Sequence, residues 1–281
     1  MPHFEEIKEA ENGIQLFIQG WRPKKKVKAV IALVHGLGEH SGRYQDLANY
    51  LTEKGYCLIA LDLQGHGKSQ GSRGHISSYK DFMDNISVMM KEVNYKFVDT
   101  PYFLYGHSMG GNLVLNYVLR NNPDLRGIII SAPWLKLATK PSVIKEILAG
   151  LMSKILPGFS QANGINVNYL SRDQAVVQEY KQDSLVHNRI SSRLFTEVQQ
   201  AGNWALQNAS KLKTPALIMQ GSVDKIVSAQ AVGEFAGQVL KDCEYKIWKG
   251  FYHEIHNEPQ KEEVYDYLLE WIKKYNLKEI E

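Results

Sequence analysis

The segment PYFLYGHSMGGNLVLNYVLR, residues 101–120, sets the pentapeptide G-x-S-x-G, Gly106 to Gly110, between an apolar strand-like run and an amphipathic helical run. A serine at such a junction occupies a sharp, strained turn. Glycines at 106, 110 and 111 keep side chains out of the bend and away from the sheet beneath. Ser108 then projects its hydroxyl at a helix N-terminus, where free amides and the helix dipole favour developing negative charge. A glycine-rich turn without chemistry would account for the pentapeptide, but not for the strand before it and the helix after it.

The rest of the chain repeats that alternation. Apolar, β-branched runs recur as AVIALV from Ala29, CLIALD from Cys57, YFLY from Tyr102, GIII from Gly127, ALIM from Ala216 and YKIW from Tyr245. Parallel strands covered on both faces read this way. Helix-period segments lie between them, at Arg43–Lys54, Ser78–Phe97, Asn112–Arg120, Ala229–Leu240 and Pro259–Tyr275. Strand and helix in alternation imply a doubly wound, mostly parallel sheet with helices on both faces. NGIQLFIQGWR, from Asn12, alternates more strictly and is expected to supply antiparallel edge strands.

One stretch, from about Leu137 to Asn208, interrupts the pattern with helical periodicity and no strand signal. It is expected to be an inserted helical cap over residues 137–208, with 1–136 and 209–281 forming the core. Its first helix, PSVIKEILAGLMSKIL, places Val143, Ile144, Ile147, Leu148, Leu151, Met152, Ile155 and Leu156 on one stripe, with Lys145, Glu146 and Lys154 opposite.

A serine hydroxyl is a poor nucleophile until a base takes its proton, and the base needs a carboxylate to orient it. In this architecture the order is serine, acid, histidine. Asp224 follows the ALIM strand directly, at a strand's C-terminal end where ligands bind. Its other reading is a cap for the helix starting near Ser228. His253, in YKIWKGFYHEIHNEP, follows the next strand and is the expected base. His256 competes, but lies further from the strand end and closer to the helix start marked by Pro259. His107 fills the variable motif position, and His3, His40 and His187 read as surface or loop residues. Strand AVIALV ends in His35-Gly36-Leu37-Gly38, where a sharp turn can aim the Leu37 N–H at the point reached by the Met109 N–H. Two such donors make an oxyanion hole. The competing reading is a plain strand-to-helix loop.

Other functions are disfavoured by composition. Formal net charge is +3 with basic residues scattered, which is no nucleic-acid footprint. Cys57 and Cys243 lack metal-ligand spacing and read as small core residues. The polar, acidic N-terminus MPHFEEIKEA is unlike a secretory signal, and no apolar run approaches the roughly 18 to 20 residues that cross a bilayer. A cytoplasmic protein, peripheral at membranes at most, is expected.

HGLGEHSGRY from His35, DLQGHGKSQGSRGH from Asp62, GHSMGG from Gly106 and FYHEIHNE from Phe251 resemble monoacylglycerol lipases and their lysophospholipase-like relatives, from about residue 10 to the C-terminus. The resemblance implies the α/β-hydrolase fold, a triad of Ser108, Asp224 and His253, and a hole formed by Leu37 and Met109. It also implies that Glu39, Arg43 and His256 line the polar end near the leaving alcohol. Their other reading is a salt-bridge and hydrogen-bond cluster supporting the oxyanion loop. Asp62–Ser69 and Arg73–His75 read as loop structure.

The expected reaction is hydrolysis of a monoacylglycerol through an acyl-serine, without metal or cofactor. The cap stripe must bury itself on the core, line an acyl tunnel or meet a membrane or micelle surface. Ile147, Leu148 and Leu151 are the candidate acyl contacts. A lysophospholipase, a general carboxylesterase or a peptidase would keep every catalytic residue. A non-catalytic lipid-binding protein of this fold would be expected to have lost one.

Overall fold

The computed structural model describes residues 2–139 and 142–276; the side chains of residues 143–146 lie outside that description. In chain order the elements are β1 (His3–Glu9), β2 (Gln15–Trp21), β3 (Val30–Val34), α1 (Gln45–Glu53), β4 (Cys57–Leu61), α2 (Tyr79–Lys96), β5 (Tyr102–His107), α3 (Met109–Asn121) and β6 (Gly127–Ser131). After these come α4 (Val143–Ile155), β7 (Ser160–Ala162), α5 (Gln174–Gln182), β8 (Arg189–Ser191) and α6 (Ser192–Asn208). The chain ends with β9 (Ala216–Gly221), α7 (Ala229–Gln238), β10 (Cys243–Trp248) and α8 (Lys261–Asn276).

The main sheet has eight strands in the order β1-β2-β4-β3-β5-β6-β9-β10. β4 to β10 run parallel within it, whereas β1 and β2 form the antiparallel edge. This is the α/β-hydrolase fold with its mostly parallel sheet. Both faces are buried, which explains the unbroken apolar runs. In β3, Val30, Ala32 and Val34 pack with Phe82, Ile86 and Met89 of α2, Val114 of α3 and Phe235 of α7. Ile31 and Leu33, pointing the other way, pack with Leu47 and Leu51 of α1 and Leu268 and Ile272 of α8.

Three features differ from the sequence reading. β1 gave no strand signal because its inward face is not apolar throughout: Phe4, Glu6 and Lys8 point inward, and Glu6 pairs with Lys96 at 2.6 Å and Lys8 with Glu92 at 2.8 Å on α2. Charged side chains on an edge strand also discourage pairing with another chain. The stretch between β6 and β9 is not wholly helical, since β7 and β8 pair as a short antiparallel ribbon of three residues each. Strands so short carry too little periodicity to be read.

The third concerns the stripe on α4. Val143 and Ile144 lie outside the described side chains, but Ile147, Leu148, Leu151, Ile155 and Leu156 are 52–64% exposed, as is Phe159 just beyond. These five stripe positions therefore do not pack on the core, and Met152 between them is half-buried. α6, by contrast, is firmly attached: Leu194, Val198 and Ala205 are buried, and Asn112 and Asn116 of α3 donate to the Val198 and Ala201 carbonyls at 3.1 Å.

Candidate active site

Ser108 sits between β5 and α3 with φ 53° and ψ −117°, a conformation that is costly for a residue with a Cβ. Its surroundings hold it there. The Ser108 N–H donates to the Ser131 carbonyl at 2.9 Å, and its own carbonyl accepts from Trp134 at 2.9 Å and Asn112 at 3.1 Å. The start of α3 presses directly on the end of β3, because a Cβ on Gly110 would lie 2.1 Å from the Val34 carbonyl oxygen. That approach brings the serine turn beside the His35–Gly38 loop.

Asp224 and His253 lie in the loops that follow β9 and β10, neighbouring parallel strands, so those loops emerge side by side. The Asp224 carboxylate meets His253 Nδ1 at 2.7 Å, with both side chains almost fully buried. Asp224 also accepts from the N–H groups of Ile226 and Val227 at 2.8 and 3.0 Å and from the Gln220 side chain at 2.9 Å. The helix-cap reading fails, since Ser228 caps α7. Burial favours a neutral carboxyl at Asp224, but the His253 charge, its hydrogen bond and the two amides override it and hold the pKa below the ordinary value. Burial likewise disfavours a charged His253, yet Asp224, with Glu254 and Glu39, raises its pKa above the ordinary value.

Leu37 follows β3. The Gly36 N–H donates to Glu39 Oε1 at 2.6 Å and the Gly36 carbonyl meets His35 Nδ1 at 2.8 Å. Gly38 has φ +78°, and a Cβ there would lie 2.4 Å from the His187 carbonyl oxygen. Among the described residues the Leu37 and Met109 N–H groups have no internal acceptor. Both are thus available to a ligand oxygen.

Glu39 and Arg43 belong to a buried charge cluster. Arg43 bonds Glu39 at 2.8 Å and Glu254 through two nitrogens at 2.6 and 2.7 Å, and Tyr44 donates to Glu39 at 2.9 Å. Burial alone would raise the Glu254 pKa, but the Arg43 charge and hydrogen bonds hold it at about 2. Arg43 therefore ties the loop after β3 to the residue beside His253. His256 is buried and stacks on Tyr44 at 4.8 Å, with its edge contact to His107 also at 4.8 Å. Burial lowers its pKa to about 4, and neither ring nitrogen has a protein partner. His107 packs between His253 and His256, kept neutral chiefly by burial.

Ser108 and His253 face one chamber of about 20 Å³, walled by Gly36, Leu37, Glu39, His107 and Glu254 from the core and by Ile165, Leu170 and Tyr180 from the stretch between β6 and β9. That volume holds about one water molecule. Of the sequence candidates, Ser108, His253, Leu37 and Glu39 line it, and Asp224 reaches it through His253. Arg43 and His256 stand behind its wall. Ile147, Leu148 and Leu151 are exposed on α4 and are not among the residues that line it.

Sequence reasoning missed several residues. Glu254, next to the expected base, is bound to a cation 211 positions away, a pairing that no local pattern carries. Leu170 and Tyr169 were unmarked, yet their carbonyls accept from Glu254 at 2.7 Å and His253 at 3.4 Å. His40 and His187, read as surface or loop residues, both lie in loops, but His40 is buried and meets Asp183 at 2.7 Å, and the half-buried His187 donates its backbone N–H to the Gly38 carbonyl at 2.9 Å. Asp62, read as part of a loop, accepts from the Ser41 N–H and hydroxyl at 2.7 and 2.6 Å and from Lys68 N–H at 2.7 Å. Of the cysteines, Cys57 is buried and Cys243 half-buried. Among the described residues no group of three or more His, Cys, Asp or Glu is placed to hold a metal ion. No described helix is long and apolar enough to cross a membrane.

An abhydrolase domain-containing protein of Dictyostelium discoideum is 38% identical over 92% of this chain, which spans only 28% of that protein's length. Phospholipase YtpA of Bacillus subtilis is 33% identical over 87% of this chain and 95% of its own. The crystal structure of Paleococcus ferrophilus monoacylglycerol lipase superposes with a TM-score of 0.85 at 34% identity, covering 92% of this chain and 99% of that one. Residues 25–260 match the family described as serine aminopeptidase, S33, and the chain belongs to this family of α/β-hydrolases.

Proposed function

We propose that the chain is a serine carboxylic-ester hydrolase that cleaves monoacylglycerols to fatty acid and glycerol, with Ser108 as nucleophile, His253 as base and Asp224 as the acid that orients it. One observation carries the reading: Asp224 engages Nδ1 of His253, which leaves Nε2 as the other ring nitrogen of a side chain that lines the same chamber as Ser108. His253 takes the Ser108 proton as Oγ attacks the ester carbonyl, and the N–H groups of Leu37 and Met109 receive the oxyanion. The imidazolium then protonates the departing alkoxide. Water, deprotonated by the same imidazole, attacks the acyl-serine and releases the acid.

Residues 137–208 act as a cap in this reading. The chamber has room for about one water molecule, and Ile165, Leu170 and Tyr180 on its cap side are the residues a glyceride would displace on entering. The exposed apolar face of α4 suits contact with a micelle or membrane surface that presents the substrate. The relative that is a monoacylglycerol lipase favours a glyceride ester. The relative named a phospholipase supports a second reading, a lysophospholipase with the same catalytic residues.

A fluorophosphonate probe should label the wild-type protein at Ser108 and leave a folded Ser108→Ala variant unlabelled. Hydrolysis of monoacylglycerols of graded chain length, run beside lysophospholipids and short-chain esters, then chooses the substrate. Turnover of lysophospholipid exceeding that of every monoacylglycerol would move the proposal to the second reading, and persistent esterase activity in Ser108→Ala would remove both.

A further inference from the structure

We propose that His35 is a positioning residue for the reaction: its imidazole fixes the peptide plane that carries the Leu37 N–H, and so aims one oxyanion donor. This rests on the reading of Leu37 as such a donor. His35 is fully buried and lines no part of the chamber, so it acts through the peptide and not on substrate.

Hydrogen-bond partners fix the ring's protonation pattern. The Leu63 N–H lies 3.0 Å from His35 Nε2. A backbone amide can only donate, so Nε2 carries the lone pair and Nδ1 carries the hydrogen. That hydrogen is donated to the Gly36 carbonyl at 2.8 Å. The ring cannot swing away, because it is enclosed in the core and packed against His66 with centroids 5.3 Å apart. Burial holds it neutral, as this arrangement requires.

The Gly36 carbonyl and the Leu37 N–H belong to one planar trans peptide and point in opposite directions. Holding the oxygen toward His35 therefore sends the N–H the other way. Glu39 holds the preceding peptide through the Gly36 N–H at 2.6 Å, and His187 holds the Gly38 carbonyl at 2.9 Å. Of the two peptides between them, His35 holds the one that joins Gly36 to Leu37. Without it, a rotation of that plane would turn a carbonyl dipole toward the serine in place of the N–H, opposing the negative charge that forms there.

The comparison is between His35→Leu and His35→Asn. Both leave the Leu63 N–H without its acceptor and share that folding cost. Only asparagine places an N–H near the position of Nδ1, within reach of the Gly36 carbonyl. Each variant is assayed for kcat and KM on an ester, and for the ratio of kcat/KM between that ester and its thiono analogue, which senses how well the hole fits oxygen. His35→Leu should lose up to about 100- to 1000-fold in kcat, the range for one oxyanion donor, with KM little changed and a reduced oxo-to-thiono ratio. His35→Asn should recover most of both. A folded His35→Leu protein with undiminished kcat and ratio overturns the proposal, as does an asparagine variant impaired equally. Wild-type protein labelled with ¹⁵N-histidine tests it without mutation: His35 must carry its proton on Nδ1 throughout the active pH range, and an Nε2–H tautomer overturns it. Fluorophosphonate labelling separates the two layers. An unlabelled Ser108 defeats the underlying reading, whereas a labelled Ser108 with an unaltered oxo-to-thiono ratio in His35→Leu defeats only the role of His35.

Discussion

The Arg43 guanidinium is bonded to the Glu254 carboxylate through both of its terminal nitrogens, at 2.6 and 2.7 Å, with the two side chains 9% and 2% exposed. With Glu39 on its other side at 2.8 Å, Arg43 joins the loop after β3 to the loop that carries His253. Two carboxylates share one guanidinium, which leaves a net negative charge close to His253. Such an arrangement favours an imidazolium at His253, the species that the proposed mechanism forms as the serine attacks.

Removal of Arg43 tests this link. Arg43→Ala leaves two buried carboxylates without their cation, and breaking a buried pair in this way costs about 3–5 kcal/mol. Denaturant unfolding should register that loss. Ester turnover should fall as well, because both loops at the site lose their common tie. An Arg43→Ala protein as stable as wild type would mean that the cluster is solvated in solution.

The pH profile follows from the two shifted groups. His253 must be neutral to accept the serine proton, and its pKa is raised above the ordinary 6.5 despite burial, so the acidic limb of kcat/KM should lie above that value. Asp224→Asn should move the limb to lower pH and reduce kcat by roughly 10⁴-fold. Stability responds with opposite signs. The raised His253 contributes stability fully below its unfolded pKa and loses it as pH rises through the folded value. The lowered Asp224 contributes above its unfolded pKa, near 3.8, and loses that as pH falls through its folded value. An acidic limb below 6.5 in the wild type would contradict the arrangement.

Much of this site can be read from the sequence because its parts lie at strand ends. Ser108, Asp224, His253 and Leu37 each follow an apolar run, and parallel strands place their C-terminal ends along one edge. What joins those loops is less legible. The Arg43–Glu254 pair and the His187–Gly38 bond link segments far apart in the chain, and their partners are polar residues with no periodic signature. β1 was hidden for a related reason, its inward charges answering charges on α2. The α4 stripe was visible as a stripe, but periodicity cannot say whether an apolar face meets protein or solvent, and here it meets solvent.

Backbone strain at Ser108 makes a separate prediction. With φ 53° and ψ −117° the residue lies where a Cβ is disfavoured, and strain of this kind costs about 1–3 kcal/mol. Ser108→Gly relieves it and Ser108→Ala does not. The glycine variant should be more stable than the alanine variant by about 1 kcal/mol in thermal or denaturant unfolding, although glycine ordinarily weakens a fold. Both should be inactive. Equal stability of the two would show that the turn is relaxed in solution.

The exposed face of α4 gives the last test. Ile155 on α4 is 64% exposed, like Ile147, Leu148 and Leu151 of the same helix, and Phe159, just beyond it, is 52% exposed. Burying such side chains in a micelle or bilayer surface gains about 1.5–3 kcal/mol each, whereas a carboxylate in their place must stay in water. The double variant Ile155→Asp/Phe159→Asp should therefore bind vesicles at least about tenfold more weakly and turn over micellar monoacylglycerol more slowly. Hydrolysis of a short-chain ester below its micellar concentration should be unchanged, because neither residue lines the chamber. Equal losses on both substrates would mean that the substitutions disturb the fold. Undiminished turnover of the micellar substrate would mean that this face does not meet lipid, and the exposed stripe would then need another occupant.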